Sequence, residues 1–192
     1  MATMAYPSKT DRNIILAAAV EQLEQHGLRG LSLRKLAASL QLAPNALYRY
    51  FADRSILESA LVNEVSGLLH AAMQRAVRKG PPEQAIRSIA RAYLAFARKH
   101  PNLYELLLRP CDNAGAECAS YEGLCDFVVE HVTALAGPRN ADDASMALLA
   151  YLHGIAQLEA VKVLGTEKTG SSFDFGLNAW LAAAADRNPE KS

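Results

Sequence analysis

The chain has 192 residues, 51% hydrophobic and 21% charged, which is ample for a packed core and excludes long disorder. Twenty basic residues balance twenty acidic ones, yet residues 1–54 hold seven basic against four acidic, a net +3 that leaves −3 for the rest. That asymmetry points to an anionic partner for the N-terminal part, and no apolar run approaches the ~18 residues of a membrane span. The polar opening, Met1 to Arg12, lacks the apolar segment of a secretory signal, and three cysteines are too few for a disulfide framework. A soluble, cytoplasmic protein with no membrane partner is the expectation.

Ala and Leu dominate, and no stretch alternates apolar with polar residues long enough to make a strand, so the sequence reads as all-α. Thr10 or Asp11 caps a first helix that runs through Gln25, with Ile15, Leu16, Ala18, Ala19 and Leu23 facing inward. His26-Gly27 ends it, since glycine takes the left-handed C-terminal conformation cheaply. Ser32 is placed to cap a short helix, Leu33 to Leu40. The connection Gln41-Leu42-Ala43 leads to Pro44, suited to a first helical turn, and to a third short helix that ends at Tyr50. Asp53 caps a fourth, long helix to about Lys79, in which Leu57, Leu61, Val65, Leu68 and Ala72 keep the helical period. Gly80-Pro81-Pro82 is the clearest break. Beyond it come Glu83–Lys99, a short helix after Pro101, then about Ala114–Leu135, Asp142–Leu164 and Ser172–Ala185. The last two are apolar on more than one face, through Leu148, Leu149, Leu152, Ile155, Ala156, Leu158 and Val161, and through Phe173, Phe175, Leu177, Trp180 and Leu181. Helices of that kind are buried on two sides, the second against another subunit.

Two short helices joined by a three-residue connection, on a basic segment, outline a helix-turn-helix. The first, anchored by Leu36, Ala37 and Leu40, braces against the DNA backbone. The second, anchored by Leu47 and Phe51, turns Pro44, Asn45, Ala46, Tyr48, Arg49 and Tyr50 around its exposed side, toward the major groove. Arg34 has the fork that matches guanine and Asn45 the amide that matches adenine, each bidentate pair discriminating by about 1–3 kcal/mol. Taken singly, Tyr48 and Tyr50 serve equally as packing aromatics, and Arg49 as a solvated charge.

The run Gly30-Leu-Ser-Leu-Arg-Lys-Leu-Ala, then Leu42-Ala-Pro-Asn-Ala-Leu-Tyr-Arg-Tyr-Phe51, then Asp53-Arg54-Ser-Ile-Leu57, resembles the DNA-binding domain of TetR-family transcriptional repressors. The preceding Ile15-Leu-Ala-Ala-Ala-Val-Glu-Gln-Leu-Glu-Gln-His-Gly27 is similar to that family's first helix. The match spans about residues 10–60. The family's pattern places Gly where Gln41 stands, a small polar residue at Ala43 and Lys at Arg54. The resemblance implies phosphate contacts from Ser32, Tyr48, Tyr50 and Arg54, and base readout by Arg34, Pro44, Asn45 and Ala46, with Arg49 near the backbone or a base edge. It also implies an architecture: a three-helix DNA-binding domain over residues 8–54, with its helix-turn-helix at about 32–51. A long helix joins this to a C-terminal bundle, residues 55–188, that binds ligand and forms a homodimer.

In that C-terminal part, His100-Pro-Asn-Leu-Tyr-Glu-Leu-Leu-Leu108 and Tyr151-Leu-His-Gly-Ile155 resemble family members with a Trp-x-x-His-Gly-like signature. Gly154 in mid-helix costs about 1 kcal/mol against Ala and permits close helix approach. His153 then reads as a hydrogen-bonded core residue or as a ligand contact. Tyr93, Phe96, Tyr104, Phe127 and Tyr151 line a pocket between helices or pack the core. Since these side chains offer hydrogen bonds and few fixed charges, the effector expected is a small apolar or aromatic molecule.

Cys111, Cys118 and Cys125 recur every seven residues. On one helix, Cys118 and Cys125 stand about 10.5 Å apart, beyond the roughly 7 Å that a disulfide spans. No CxxC or close His pair accompanies them, so no metal is expected. Gly-rich phosphate loops, GxSxG, HExxH and Glu-x-x-His pairs are absent from the sequence, so neither an enzyme nor a cofactor is expected. The combined reading is a regulator, most readily a repressor, that a small molecule releases from a palindromic double-stranded DNA operator. The alternative is a helical ligand-binding protein with vestigial DNA binding.

Overall fold

A computed structural model of the chain describes residues 11–108, 118–162 and 166–188. Among these, nine α-helices and no strands are found. Cys111 and the Ala114 start expected for the seventh helix lie outside the described residues, as does Thr10.

Helix α1 spans Arg12–Gly30, capped by the Asp11 carboxylate, which accepts from the amide of Ile14 at 2.9 Å. The expected end at Gly27 is instead a kink: Gly27 takes φ 64° and ψ −179°, and one further turn follows to Gly30. Only glycine occupies that region without strain. Helix α2, Leu33–Ser39, has Ser32 as its cap, and α3, Pro44–Leu47, is shorter than expected. Its turn nonetheless carries on, with the amides of Tyr50 and Phe51 both donating to the carbonyl of Leu47 at 2.9 Å. Between α2 and α3, Gln41 has φ 55°, the left-handed conformation that a glycine adopts at lower cost.

Helix α4, Arg54–Ala76, begins at the Asp53 cap and stops a turn short of Lys79. It packs against α1, α5 (Pro82–Lys99), α6 (Pro101–Leu107) and α7 (Ala119–Ala136), so it is buried on more than one side. Its buried line runs Leu57, Leu61, Val65, Leu69, Met73, in steps of four. Leu68, expected inside, is 45% exposed because that step-of-four line passes through Leu69. The Asn63 side chain of α4 accepts from the amide of Ser120 at 2.8 Å and that of Tyr121 at 3.4 Å, and so caps α7 from outside.

Helices α8, Ala141–Ala160, and α9, Thr166–Asp186, complete the bundle. Helix α8 stops before the expected Leu164 because Lys162 turns to φ 54°. Helix α9 starts before the expected Ser172. Indole Nε1 of Trp180 donates to the Ala144 carbonyl at 3.2 Å, and Asn188 donates to that of Leu135, closing α9 onto α8 and α7. The apolar surplus on these helices divides. Leu148, Leu152, Ile155, Ala156, Phe173, Leu177 and Leu181 are buried within the chain, whereas Met146, Leu149, Leu158, Val161 and Phe175 are exposed, Phe175 by 79%. No helix among the described residues is long and apolar enough to cross a membrane.

Candidate nucleic-acid interface

Leu47 and Phe51 are wholly buried and peg α3 and the turn after it into the core, together with Leu36 and Ala37 of α2. With those pegs inward, Asn45, Tyr48, Arg49 and Tyr50 face outward and Ala46 is half-buried. Pro44 opens α3 at its first position. Arg34 and Lys35, at the start of α2, are exposed beside them. The result is a surface of guanidinium, ammonium, amide and phenol groups on two adjacent helix starts. Tyr48 and Tyr50, with 51% and 40% of their surface open, are therefore not core aromatics.

Ser32 is half-buried and fixed at both ends. Its hydroxyl accepts from the amide of Lys35 at 3.5 Å, and its own amide donates to Gln22 of α1 at 3.0 Å. Arg54 is likewise engaged: Nε meets the Glu58 carboxylate at 2.6 Å and one terminal nitrogen donates to the Leu28 carbonyl at 3.0 Å. It therefore staples the start of α4 to the end of α1. Arg12 lies over the Phe51 ring, 5.3 Å from its centre, a cation–π contact that ties the far end of α1 to the reading turn. Nothing in the local sequence signals that pairing, since Arg12 opens α1 and Phe51 lies in the turn after α3.

The six aromatic and histidine candidates of the C-terminal part separate into four places. Tyr93 of α5 and Tyr104 of α6 join hydroxyls at 2.9 Å, and the Tyr104 hydroxyl also meets Nδ1 of His153 on α8 at 2.9 Å. Burial raises both phenol pKa values above the tyrosine norm, and the bond between them adds to the rise at Tyr93 and offsets part of it at Tyr104. Both therefore stay protonated and neutral at neutral pH. Phe96 is buried and meets the ring of His100 at 5.0 Å. Phe127 sits between His70 and His131, with ring centres at 5.0 and 4.4 Å. Tyr151 donates to the carbonyls of Phe173 at 2.6 Å and Ser172 at 3.1 Å, binding α8 to α9.

Beside Tyr104 a groove of about 480 Å³ lies between α5, α6 and α8. The bidentate pair of Arg98 and Glu159, both contacts 2.6 Å, forms one wall, and Asn102, Gln157 and Ala156 contribute to the rest. Of the residues expected to line a pocket, Tyr104 is the one it includes, among charged, amide and alanine side chains. Sequence reasoning also passed over the polar junction between the two halves, where His100 Nδ1 meets the Glu24 carboxylate of α1 at 2.8 Å and Asn102 donates to the Glu24 carbonyl at 2.7 Å. These partners are 76 and 78 residues apart, beyond the reach of any periodicity argument.

Residues 15–60 match the family described as bacterial regulatory proteins, tetR family, and residues 86–179 match a tetracyclin repressor-like C-terminal domain. An HTH-type transcriptional regulator of Bacillus subtilis, YobS, is 25% identical over 181 residues, which is 92% of this chain and 94% of the relative. A solved structure of a protein of unknown function from Rhodococcus sp. RHA1 is similar with a TM-score of 0.77 and 29% identity, covering 95% of this chain and 99% of that one. A TetR variant from Acinetobacter baumannii AYE in complex with minocycline (TM-score 0.69, 22% identity, 91% and 96% covered) shares the fold. So does BioQ with its double-stranded DNA operator (TM-score 0.70, 21%, 92% and 99%). The exposed polar face on a buried helix-turn-helix and the two matched segments agree: the chain belongs to the TetR family and is a DNA-binding transcriptional regulator.

Proposed function

We propose that the chain is a homodimeric repressor that a small molecule releases from its operator. The observation that carries the reading is the face formed by Arg34, Asn45, Tyr48, Arg49 and Tyr50, held outward by fully buried Leu47 and Phe51. In this reading Arg34, Pro44, Asn45 and Ala46 meet base edges in the major groove, while Ser32, Tyr48, Tyr50 and Arg54 set register on phosphates. Arg54 combines that role with its staple to Leu28. The BioQ complex with operator DNA supports the docking mode.

Exposed Met146, Leu149 and Leu158 of α8, Val161 just after it and Phe175 of α9 supply the surface that a second copy would cover, giving a two-fold four-helix contact. A dimer of this kind holds two reading helices at a fixed spacing, about 34–36 Å for half-sites one DNA turn apart. A ligand that binds better to a conformation with another spacing lowers operator affinity by the ratio of its two affinities, and operator lowers ligand affinity by the same factor. The hydrogen-bonded chain of Tyr93, Tyr104 and His153 suits a small, largely apolar or aromatic molecule that also forms hydrogen bonds, and the minocycline complex of the Acinetobacter relative supports a ligand of that size. Such a regulator works in the cytoplasm.

A gel-shift titration of the purified chain against DNA from upstream of its own coding region tests the reading. A saturable shift that resists unrelated competitor DNA is expected, lost on Arg34→Ala with Asn45→Ala. A helical protein with vestigial DNA binding would show at most salt-sensitive binding indifferent to sequence.

A further inference from the structure

Helix α1 is bent at Gly27, and the two arms of the bend are held by different parts of the molecule. On the first arm, the carbonyl of Glu24 has its helical donor, four residues on, beyond the kink. The side-chain amide of Asn102, from α6, donates to that carbonyl at 2.7 Å, and His100 Nδ1 takes the Glu24 carboxylate at 2.8 Å. A Cβ placed on Gly27 would meet the Asn102 side chain at 3.2 Å, so α6 is seated directly on the bend. On the second arm, the Leu28 carbonyl is held by Arg54 of α4. That arm leads through Leu31 into Ser32 and the helix-turn-helix.

The other end of the linkage lies among the phenols. The amide of Tyr104 donates to the His100 carbonyl at 2.9 Å, and the Tyr104 hydroxyl joins Tyr93 and His153. The seven-residue helix therefore touches α5 and α8 through Tyr104, and α1 through Asn102 and through His100, the residue that leads into it. A seven-residue helix moves as a unit, because bending it breaks its few backbone bonds.

We propose that Asn102 and His100 are positioning residues for DNA binding: they hold Glu24 on the body side of the Gly27 bend, and Tyr104 sets where α6 stands. This deepens the regulatory reading and rests on it for its meaning, while the linkage from α8 through α6 to α1 is measurable without DNA.

Asn102→Asp keeps the side chain's size and removes the donor to Glu24. Hydrogen exchange by mass spectrometry should show faster exchange in the α1 segment around residues 22–31, and anisotropy with a labelled operator fragment should show affinity falling about three- to tenfold. The salt slope should not change, because no phosphate contact is lost. Tyr104→Phe should move both readouts in the same direction by less, and the double variant should match Asn102→Asp alone, as residues in one linkage are not additive. Should Asn102→Asp fail to fold by circular dichroism, His100→Gln carries the same test. Wild-type exchange and affinity in both His100→Gln and Asn102→Asp, additive effects of Tyr104→Phe, or a changed salt slope would overturn the proposal. A wild-type chain that binds no DNA overturns the regulatory reading, and the exchange data still decide the linkage.

Discussion

The two halves of the chain are held in order by different kinds of bond. In the reading half, polar side chains act on their own neighbourhood: Asp11 caps Ile14, Ser32 caps Lys35 and Asp53 caps Ile56, each across three residues. Buried leucines and Phe51 do most of the rest, with Arg54 on the Leu28 carbonyl and Arg12 over Phe51 as ties between elements. In the bundle, α5, α6, α7 and α8 have no side-chain cap of their own. Polar groups there bond across the fold, Tyr104 to His153, Tyr151 to Phe173, Trp180 to Ala144 and Asn140 to Arg187. The DNA-binding end is thus capped by contacts within single turns, and the bundle is tied by contacts that exist only once its helices have packed.

Substitutions that ignore or exploit this contrast should separate cleanly. Phe51→Ala removes a fully buried ring from the reading half and should cost about 3–5 kcal/mol in urea unfolding. Tyr48→Ala, three residues away and half open, should stay within about 0.5 kcal/mol of wild type. Equal costs would mean that the buried pegs are not what organises that half.

Next in size is the loss of assembly. Leu158→Glu together with Phe175→Glu adds charge to exposed positions, so the monomer's fold should survive while sedimentation shows the dimer dissociating and operator binding falling with it. An intact dimer would send the interface to another face. A smaller effect is expected at the phenols: Tyr93→Phe removes one bond of a buried pair and should cost about 1 kcal/mol. If circular dichroism and melting show no change, the hydroxyl chain is not part of what holds α5 to α6.

The contrast also explains which features were legible in the sequence. Caps at Asp11, Ser32 and Asp53 were readable because each acts within one turn, and the inward positions of Leu47 and Phe51 followed from helical period. The family resemblance named Arg34, Asn45, Tyr48, Arg49 and Tyr50 as candidate DNA contacts, and all five are exposed. By contrast, Glu24, His100 and Asn102 carry no local signature, for their meeting depends on how α6 lands on α1. Leu68 misled because on a helix buried on several sides the apolar period no longer singles out one line. The groove beside Tyr104 was equally hidden: Arg98 and Glu159 stand on separate helices, and only the fold places them 2.6 Å apart.

The smallest predicted effect is a gain. Gln41 holds φ 55° between α2 and α3, so Gln41→Gly should relieve left-handed strain and raise stability by about 0.5–1 kcal/mol in thermal unfolding. Because α2 and α3 are fixed by their leucines, operator affinity should stay near wild type. A destabilised variant would show that the cost of glycine's freedom in the unfolded chain exceeds the strain relieved.

The cap that Asn63 places on α7 bears on the order of folding. The amides of Ser120 and Tyr121 find their acceptor on a helix 57 and 58 residues earlier, so the first turn of α7 is completed only where α4 already stands. During synthesis α4 leaves the ribosome before α7, so the template precedes the segment that needs it. A circularly permuted chain that began at α7 would reach the same final contacts, but its first helix would emerge with its opening amides waiting for a partner made much later.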